Sequence, residues 1–250
     1  MKRSRAVGFL TVLSFLLAPT PGWAHHAKEY LVTGSYETTH EGSHLVYLNH
    51  AYDFENADDS DTYNGELTPG WIYGITDALQ VEFHFHVIDP SVEESEEAGK
   101  DGFIESVAPG IKYAFPERDN WPGDVAVAAE VEFATGDGKR AGSQDQVWPH
   151  LILRRVWKRG LESTLDVAGR FELSGDDHSE WGLAFATKAV VTPWLSAGAE
   201  FEIPADAQGA RIIPGLYLSR GHALLKLGIA LGLTSDASDV AVLSSASYQF

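Results

Sequence analysis

The sequence predicts an all-β chain closed into a transmembrane antiparallel up-and-down barrel of about 12 strands, and three observations predict it. The stretch Leu79–Ile88 reads LQVEFHFHVI. Leu79, Val81, Phe83, Phe85 and Val87 fall on one face of an extended strand, and Gln80, Glu82, His84 and His86 on the other. The same two-residue rhythm recurs along nearly the whole chain, in segments of about 9–12 residues that suit an oblique bilayer crossing. The N-terminus carries a basic run (Lys2, Arg3, Arg5), an apolar stretch Ala6–Ala18 and then PTPGWA. That is the anatomy of a secretory signal peptide, with cleavage expected after Ala24 and with Gly22 and Ala24 as the small residues read by the peptidase.

Composition narrows the choice. With 250 residues the chain has room for one large all-β domain. Its expected divisions are a signal peptide at 1–24, an N-terminal periplasmic or plug segment at 25–42, and a barrel at 43–250. Removing Lys2, Arg3 and Arg5 takes the formal net charge from −18 to −21. So acidic a surface argues against nucleic acid as a partner and against a polybasic membrane anchor. Cysteine is absent, which excludes disulfides and thiol chemistry. No later stretch approaches a transmembrane helix, yet 44% hydrophobic residues and seven Trp must be housed. A closed barrel houses them in a membrane because closure pairs every backbone group. The competing reading is a soluble sandwich with the aromatics in its core.

In chain order, His25–Gly42 has weak periodicity and turn-forming residues and is expected on the periplasmic side or tucked into a barrel mouth. Ser43–Phe54 is the first spanning strand, its facing ambiguous because Leu45/Tyr47 and Val46/Leu48 are both apolar. The acidic loop Glu55–Asp61 leads to the strand Thr62–Gly74, which sets Tyr63, Leu67, Pro69, Trp71 and Tyr73 against Asn64, Glu66, Thr68 and Gly70. A short turn, Ile75–Ala78, precedes Leu79–Ile88, and the acidic loop Asp89–Gly102 follows it. Next come Phe103–Phe115, the turn PERDNWPG and Asp124–Thr135, where Val125, Val127, Val131 and Phe133 oppose Glu130 and Glu132. A glycine-bearing loop separates this from Gln146–Trp157, which alternates poorly. Ser163–Ser174 opposes Leu165, Val167, Phe171 and Leu173 to Asp166, Arg170 and Glu172. Trp181–Val191 and Leu195–Pro204 flank the turn Thr192–Trp194, and Ala210–Ser219 and His222–Thr234 flank Arg220–Gly221. A small polar loop then leads to the closing strand Val240–Phe250.

Short turns alternate with longer, more acidic loops, as periplasmic turns and outer loops do in bacterial barrels. This sidedness brings Trp71, Tyr73, Tyr113, Phe115, Trp157, Trp194, Tyr248 and Phe250 to one level, as a periplasmic aromatic girdle. Tyr248 and Phe250 share a face of a period-two strand at the chain's end. Outer-membrane barrels commonly end this way, and the resemblance implies Tyr248 and Phe250 as a signal recognised by the barrel-assembly machinery.

Four phrases, EGSHLVYLNHAYDFE, YGITDALQVEF, PGIKYAF and PGLYLSRGHALLKLGIALGLTSDASD, together span most of the chain after the leader. They resemble the outer-membrane proteins grouped as transporters of the meta-pathway of phenol degradation. The resemblance implies a small Gram-negative outer-membrane barrel that passes aromatic or other small compounds, and it offers no catalytic motif. The acidic first loop and the His-rich third strand depart from it.

If the apolar faces meet lipid, parity sends Glu66, Glu82, His84, His86, Lys112, Glu130, Glu132, His150, Arg170, Glu172, Lys188, Glu200, Glu202 and Lys226 inward. These side chains either pair across the lumen and fill it, or line a wet path that selects by size and charge. The expected function is an outer-membrane channel or transporter for passive passage of small solutes, cationic or neutral because acidic groups outnumber basic ones, and aromatic as the resemblance implies. The alternative is a structural or adhesion barrel with a plugged lumen. His84 and His86, at i and i+2 with Glu82 beside them, could present two imidazoles and a carboxylate to zinc or copper. No further ligand is fixed by the sequence, and a polar pair bonded to Glu residues of neighbouring strands is the competing reading, so no metal or cofactor is assigned. Asp59–Gly65 lacks the third ligand and distal Glu of a calcium loop. The acidic loops are expected to be solvated, or to share divalent ions with the lipid phosphates of the outer leaflet. An outer-membrane lipid hydrolase would need a Ser activated by a His on the lipid-facing wall. Parity suggests no such pair at one height, and His178 beside Ser179 lies in a loop, so no enzymatic activity is expected.

Overall fold

The computed structural model describes residues 30–54, 63–88, 104–117, 121, 123–135, 144–157, 160–173, 179–204, 209–235 and 237–250. The expected signal peptide, the loops Glu55–Asp61 and Asp89–Gly102 and His178 lie outside the described residues. Twelve strands follow one another: β1 (His44–Phe54), β2 (Tyr63–Thr76), β3 (Leu79–Ile88), β4 (Ile104–Ala114), β5 (Asp124–Ala134), β6 (Gln146–Val156), β7 (Leu161–Glu172), β8 (Ser179–Thr192), β9 (Leu195–Ile203), β10 (Arg211–Arg220), β11 (Ala223–Gly232) and β12 (Val240–Gln249). Each pairs antiparallel with the next, and β12 pairs back to β1 from Leu45↔Gln249 to Phe54↔Val240. The sheet is therefore a closed barrel with no open edge, the all-β fold the sequence predicts. The strand bounds differ from the expected ones by one or two residues.

Closure sorts the side chains by parity. Leu45 is 0% exposed and its neighbour Val46 41%. This settles the ambiguous first strand: Leu45 and Tyr47 turn inward, where they pack with Ile72, while Val46 and Leu48 turn out. Outward positions elsewhere are the apolar set, among them Ile111, Val127, Leu151, Leu216, Leu227 and Val242. The end with short turns carries an aromatic band. The His44 ring lies 4.9 Å from that of Tyr73 and 5.5 Å from that of Phe250, and Trp71 stacks on Tyr73 at 6.1 Å. Arg155 turns outward at this end and lays its guanidinium 4.6 Å from the Trp157 ring centre, so a charged head sits at the band rather than mid-wall.

Residues 30–42, ahead of β1, run inside the barrel through its short-turn half. Two glycine sites on the wall make room for them. A side chain at Gly74 would strike the carbonyls of Thr39 and His40, and one at Gly228 would strike the Leu31 side chain, which also lies within 3.2 Å of a β-carbon at Gly215. At the mouth, the Asp77 carboxylate accepts the Glu41 N–H at 3.0 Å, and the Asp77 carbonyl accepts the Thr38 hydroxyl at 2.5 Å. The Glu41 amide, aided by His40, holds the Asp77 carboxyl below its usual range. A lowered carboxylate pKa means that this tie contributes at neutral pH and is lost as pH falls through the lowered value.

An arginine placed mid-wall tests what surrounds the barrel. Leu151→Arg, refolded into lipid vesicles, should lower unfolding stability in denaturant by about 2–4 kcal/mol, the cost of a guanidinium at a bilayer midplane. An unchanged midpoint would mean that this wall faces water.

Candidate functional site

The site is the interior of the barrel. Register places every one of the expected inward residues on the inner wall: Glu66 on β2, Glu82, His84 and His86 on β3, Lys112 on β4, Glu130 and Glu132 on β5, His150 on β6. Arg170 and Glu172 on β7, Lys188 on β8, Glu200 and Glu202 on β9 and Lys226 on β11 complete it. They do not form one uniform lining. They divide into a short-turn half filled by residues 30–42 and a long-loop half where they bond mainly to one another.

In the short-turn half the wall supplies partners for a peptide that has no strand beside it. An extended segment in a lumen leaves its amides and carbonyls unpaired unless side chains meet them. Glu200, 1% exposed, receives the amides of Leu31 at 2.6 Å, Val32 at 3.0 Å and Thr33 at 2.8 Å, and the Tyr217 hydroxyl at 2.9 Å. A carboxylate has about four acceptor positions, and here four donors use them. Asp166 takes the Gly34 amide at 2.9 Å and faces His150 Nδ1 at 3.1 Å. Gln80 takes the Thr39 amide at 2.9 Å. Lys112 donates to the carbonyls of Ser35, at 2.9 Å, and Glu37, and Lys226 donates to that of Tyr30. Arg154 pairs with Glu37 and with Asp124 at 2.8 Å while covering the Tyr36 ring at 4.5 Å. The Tyr30 hydroxyl donates to Glu162 at 2.6 Å. Glu200, Lys112 and Lys226, expected to line a wet path, are thus buried against the chain's own N-terminal segment.

In the long-loop half, acids dominate. Glu132 accepts from Ser106 and Gln146 at 2.5 Å each, and Gln146 in turn accepts from Arg170 at 2.6 Å. Arg170 also reaches Glu180 at 3.4 Å and Glu172 at 4.0 Å. Arg211 bridges Glu202 at 2.6 Å and Asp53 at 3.5 Å. On β3, His86 Nδ1 meets Glu66, and His84 faces both Glu82 and Glu130. Between the two halves lies a cavity of about 170 Å³, bounded below by Leu31–Ser35 and above by Asn49, Glu82, Glu130 and His150.

Sequence reasoning chose the anchors Glu200, Lys112 and Lys226, set Gln80 and Asp166 on polar strand faces without choosing them, and missed Arg154 and Glu162. Gln80, Asp166 and Arg154 sit on the same parity as residues that were chosen, so a strict count of alternate positions finds them. One expectation is corrected. The outward face does hold a Ser and a His at one height, because His50 on β1 pairs directly with Ser244 on β12. Sequence alone hid this because the two strands are far apart in the chain and become neighbours only at closure. Among the described outward residues of β1, β2, β11 and β12 no carboxylate is present to orient that imidazole. His50 packs edge-on against Tyr52, ring centres 5.4 Å apart.

No family model and no curated protein matches the chain. Solved structures do. The COG4313 outer membrane channel from Pseudomonas putida F1 aligns over 88% of this chain and 100% of its own, at a TM-score of 0.61 and 10% identity. The outer membrane protein Omp33 of Acinetobacter baumannii covers 85% of this chain and 100% of its own (TM-score 0.47, 12% identity). The Ralstonia pickettii toluene transporter TbuX covers 84% and 89% (TM-score 0.45, 8% identity). At these identities the likeness is one of architecture, and the chain shares with the first of these proteins a closed small-barrel fold.

Proposed function

We propose that this protein is an outer-membrane channel for small solutes whose bore is narrowed by its own N-terminal segment. The observation that carries the reading is the sorting of side chains: an apolar wall outside, and inside a charged lumen with a cavity over the segment. The short-turn end, with its aromatic band, faces the periplasm, and the leader at 1–24 directs export. Lipids surround the wall, and the assembly machinery reads the outward aromatics Tyr248 and Phe250. The passing solutes are small and neutral or cationic, because Glu66, Glu82, Glu130, Glu132 and Glu172 dominate the outer half of the lumen. That they include aromatic compounds rests on the sequence resemblance. No reaction is proposed.

A second reading has its own observation. The wall meets the amides of residues 31–34 and 39 and the carbonyls of Tyr30, Ser35 and Glu37, which suits a permanently plugged structural barrel. Planar-bilayer recordings separate the two. The intact protein should show small conductance steps. Glu200→Ala strips three amides and a hydroxyl of their acceptor, at about 1–3 kcal/mol for each group left unsatisfied. It should therefore release the segment and raise conductance several-fold, as should deletion of 30–42. Silence from all three proteins would establish the structural barrel, and equal conductance in all three would mean that the segment does not obstruct the path. Glu130→Gln with Glu132→Gln should lower cation preference, read as a reversal potential closer to zero in a salt gradient. An unchanged reversal potential would remove those carboxylates from the path.

A further inference from the structure

We infer that His84, His86 and Glu130 form a binding site for one divalent transition-metal ion, zinc or copper, on the inner wall of the long-loop half. Backbone placement brings the three together. His84 and His86 are alternate inward residues of β3, and Glu130 stands two strands away on β5. The intervening strand offers only Ala108 opposite His84 and Gly110 opposite both Glu82 and Glu130. With no side chain at Gly110, the β5 carboxylate can reach across to β3.

The donor atoms converge as metal ligands do. His84 Nε2 lies 3.1 Å from His86 Nε2 and 3.4 Å from Glu130 Oε1, and one donor from each of the three residues falls within 4.8 Å of the others. Ligands bonded at 2.0–2.1 Å to a tetrahedral zinc are about 3.3 Å apart, so both short edges match. His84 is 5% exposed, which keeps one ring fixed at the wall.

The far sides of the rings are arranged as outer support for a metal. His86 Nδ1 is bonded to Glu66, and His84 Nδ1 lies 3.5 Å from Glu82 Oε1, a carboxylate that also accepts the Tyr47 hydroxyl. At His86 the bonded carboxylate keeps the proton on Nδ1 and turns the Nε2 lone pair toward the metal. The two Nε2 atoms face each other at 3.1 Å, a spacing that needs a proton or a metal ion between them. A proton can fill that role for the pair alone. The third donor, Glu130, makes a cage that suits a larger cation. Two imidazoles and one carboxylate select zinc or copper over magnesium or calcium, which prefer oxygen. Three protein ligands leave a fourth position open to water or a passing solute.

The site stands independently of whether the bore conducts, so its test uses binding rather than current. Protein without an affinity tag, folded in detergent and showing a heat-dependent gel shift, is titrated with Zn²⁺ and Cu²⁺ by calorimetry. One ion per chain with micromolar or tighter affinity is expected, copper tighter than zinc, with no heat from Mg²⁺ at the same concentration. His84→Ala with His86→Ala should weaken binding at least about a hundredfold, and Glu66→Gln by about 10–100-fold, the usual cost of losing an outer carboxylate. His25→Ala with His26→Ala, which removes the other histidine pair, should change nothing. Absence of binding to the wild type, unchanged binding in the β3 double variant, or loss only in the His25/His26 variant would overturn the assignment. Should the β3 variant give no folded band, the Cu²⁺ spin-resonance spectrum of the His25→Ala, His26→Ala variant decides. Splitting from two imidazole nitrogens supports the site, and oxygen-only coordination defeats it.

Discussion

The filled half of this barrel turns on one carboxylate meeting three consecutive amides. Glu200 sits where wall and segment touch, and it fixes Leu31, Val32 and Thr33 at once. An extended peptide cannot rest in a lumen without such partners, because unpaired backbone groups cost more than the contacts around them return. Asp166, Lys112, Gln80 and Lys226 repeat the device along the next residues, acids and an amide oxygen for N–H groups and ammoniums for carbonyls. The wall thus substitutes, side chain by side chain, for the neighbouring strand that the segment lacks. Charge-assisted hydrogen bonds of this kind are roughly twice as strong as neutral ones, which suits a joint made mostly of single contacts.

The barrel itself was nearly all legible in the sequence. Alternation in Leu79–Ile88 and its repeats located the strands to within a residue or two, because a strand between an apolar outer face and a polar interior alternates the two along its length. Parity then located the inner wall. It read well where charges alternate with aliphatics, as in β5, and poorly in β6, where Arg154 and Arg155 are adjacent and only one can turn inward. Closure resolved β1 too: Leu45 and Tyr47 point in although both are apolar, because an interior beside the segment's exit is dry enough to hold them.

What the sequence could not reveal were contacts between residues distant in the chain. Glu200 and residues 31–33 are separated by most of the barrel, and nothing local in YLVTGSYETT announces that its amides will be met by carboxylates. His50 and Ser244 came together for the same reason, at a seam that exists only once β12 finds β1. The meeting of Glu130 with the β3 histidines depended on the smallness of Ala108 and Gly110, an absence of side chain that periodicity does not register.

The interior is also electrically lopsided. Toward the short-turn end Lys112, Arg154, Lys188 and Lys226 are offset by Glu37, Glu162, Asp166 and Glu200, while toward the other end Glu66, Glu130, Glu132, Glu172, Glu202 and Asp53 outnumber Arg170 and Arg211. A mobile ion crossing such a cylinder climbs a different electrostatic profile in each direction. If the bore conducts as proposed, this asymmetry would make current driven one way exceed that driven the other at equal and opposite voltage.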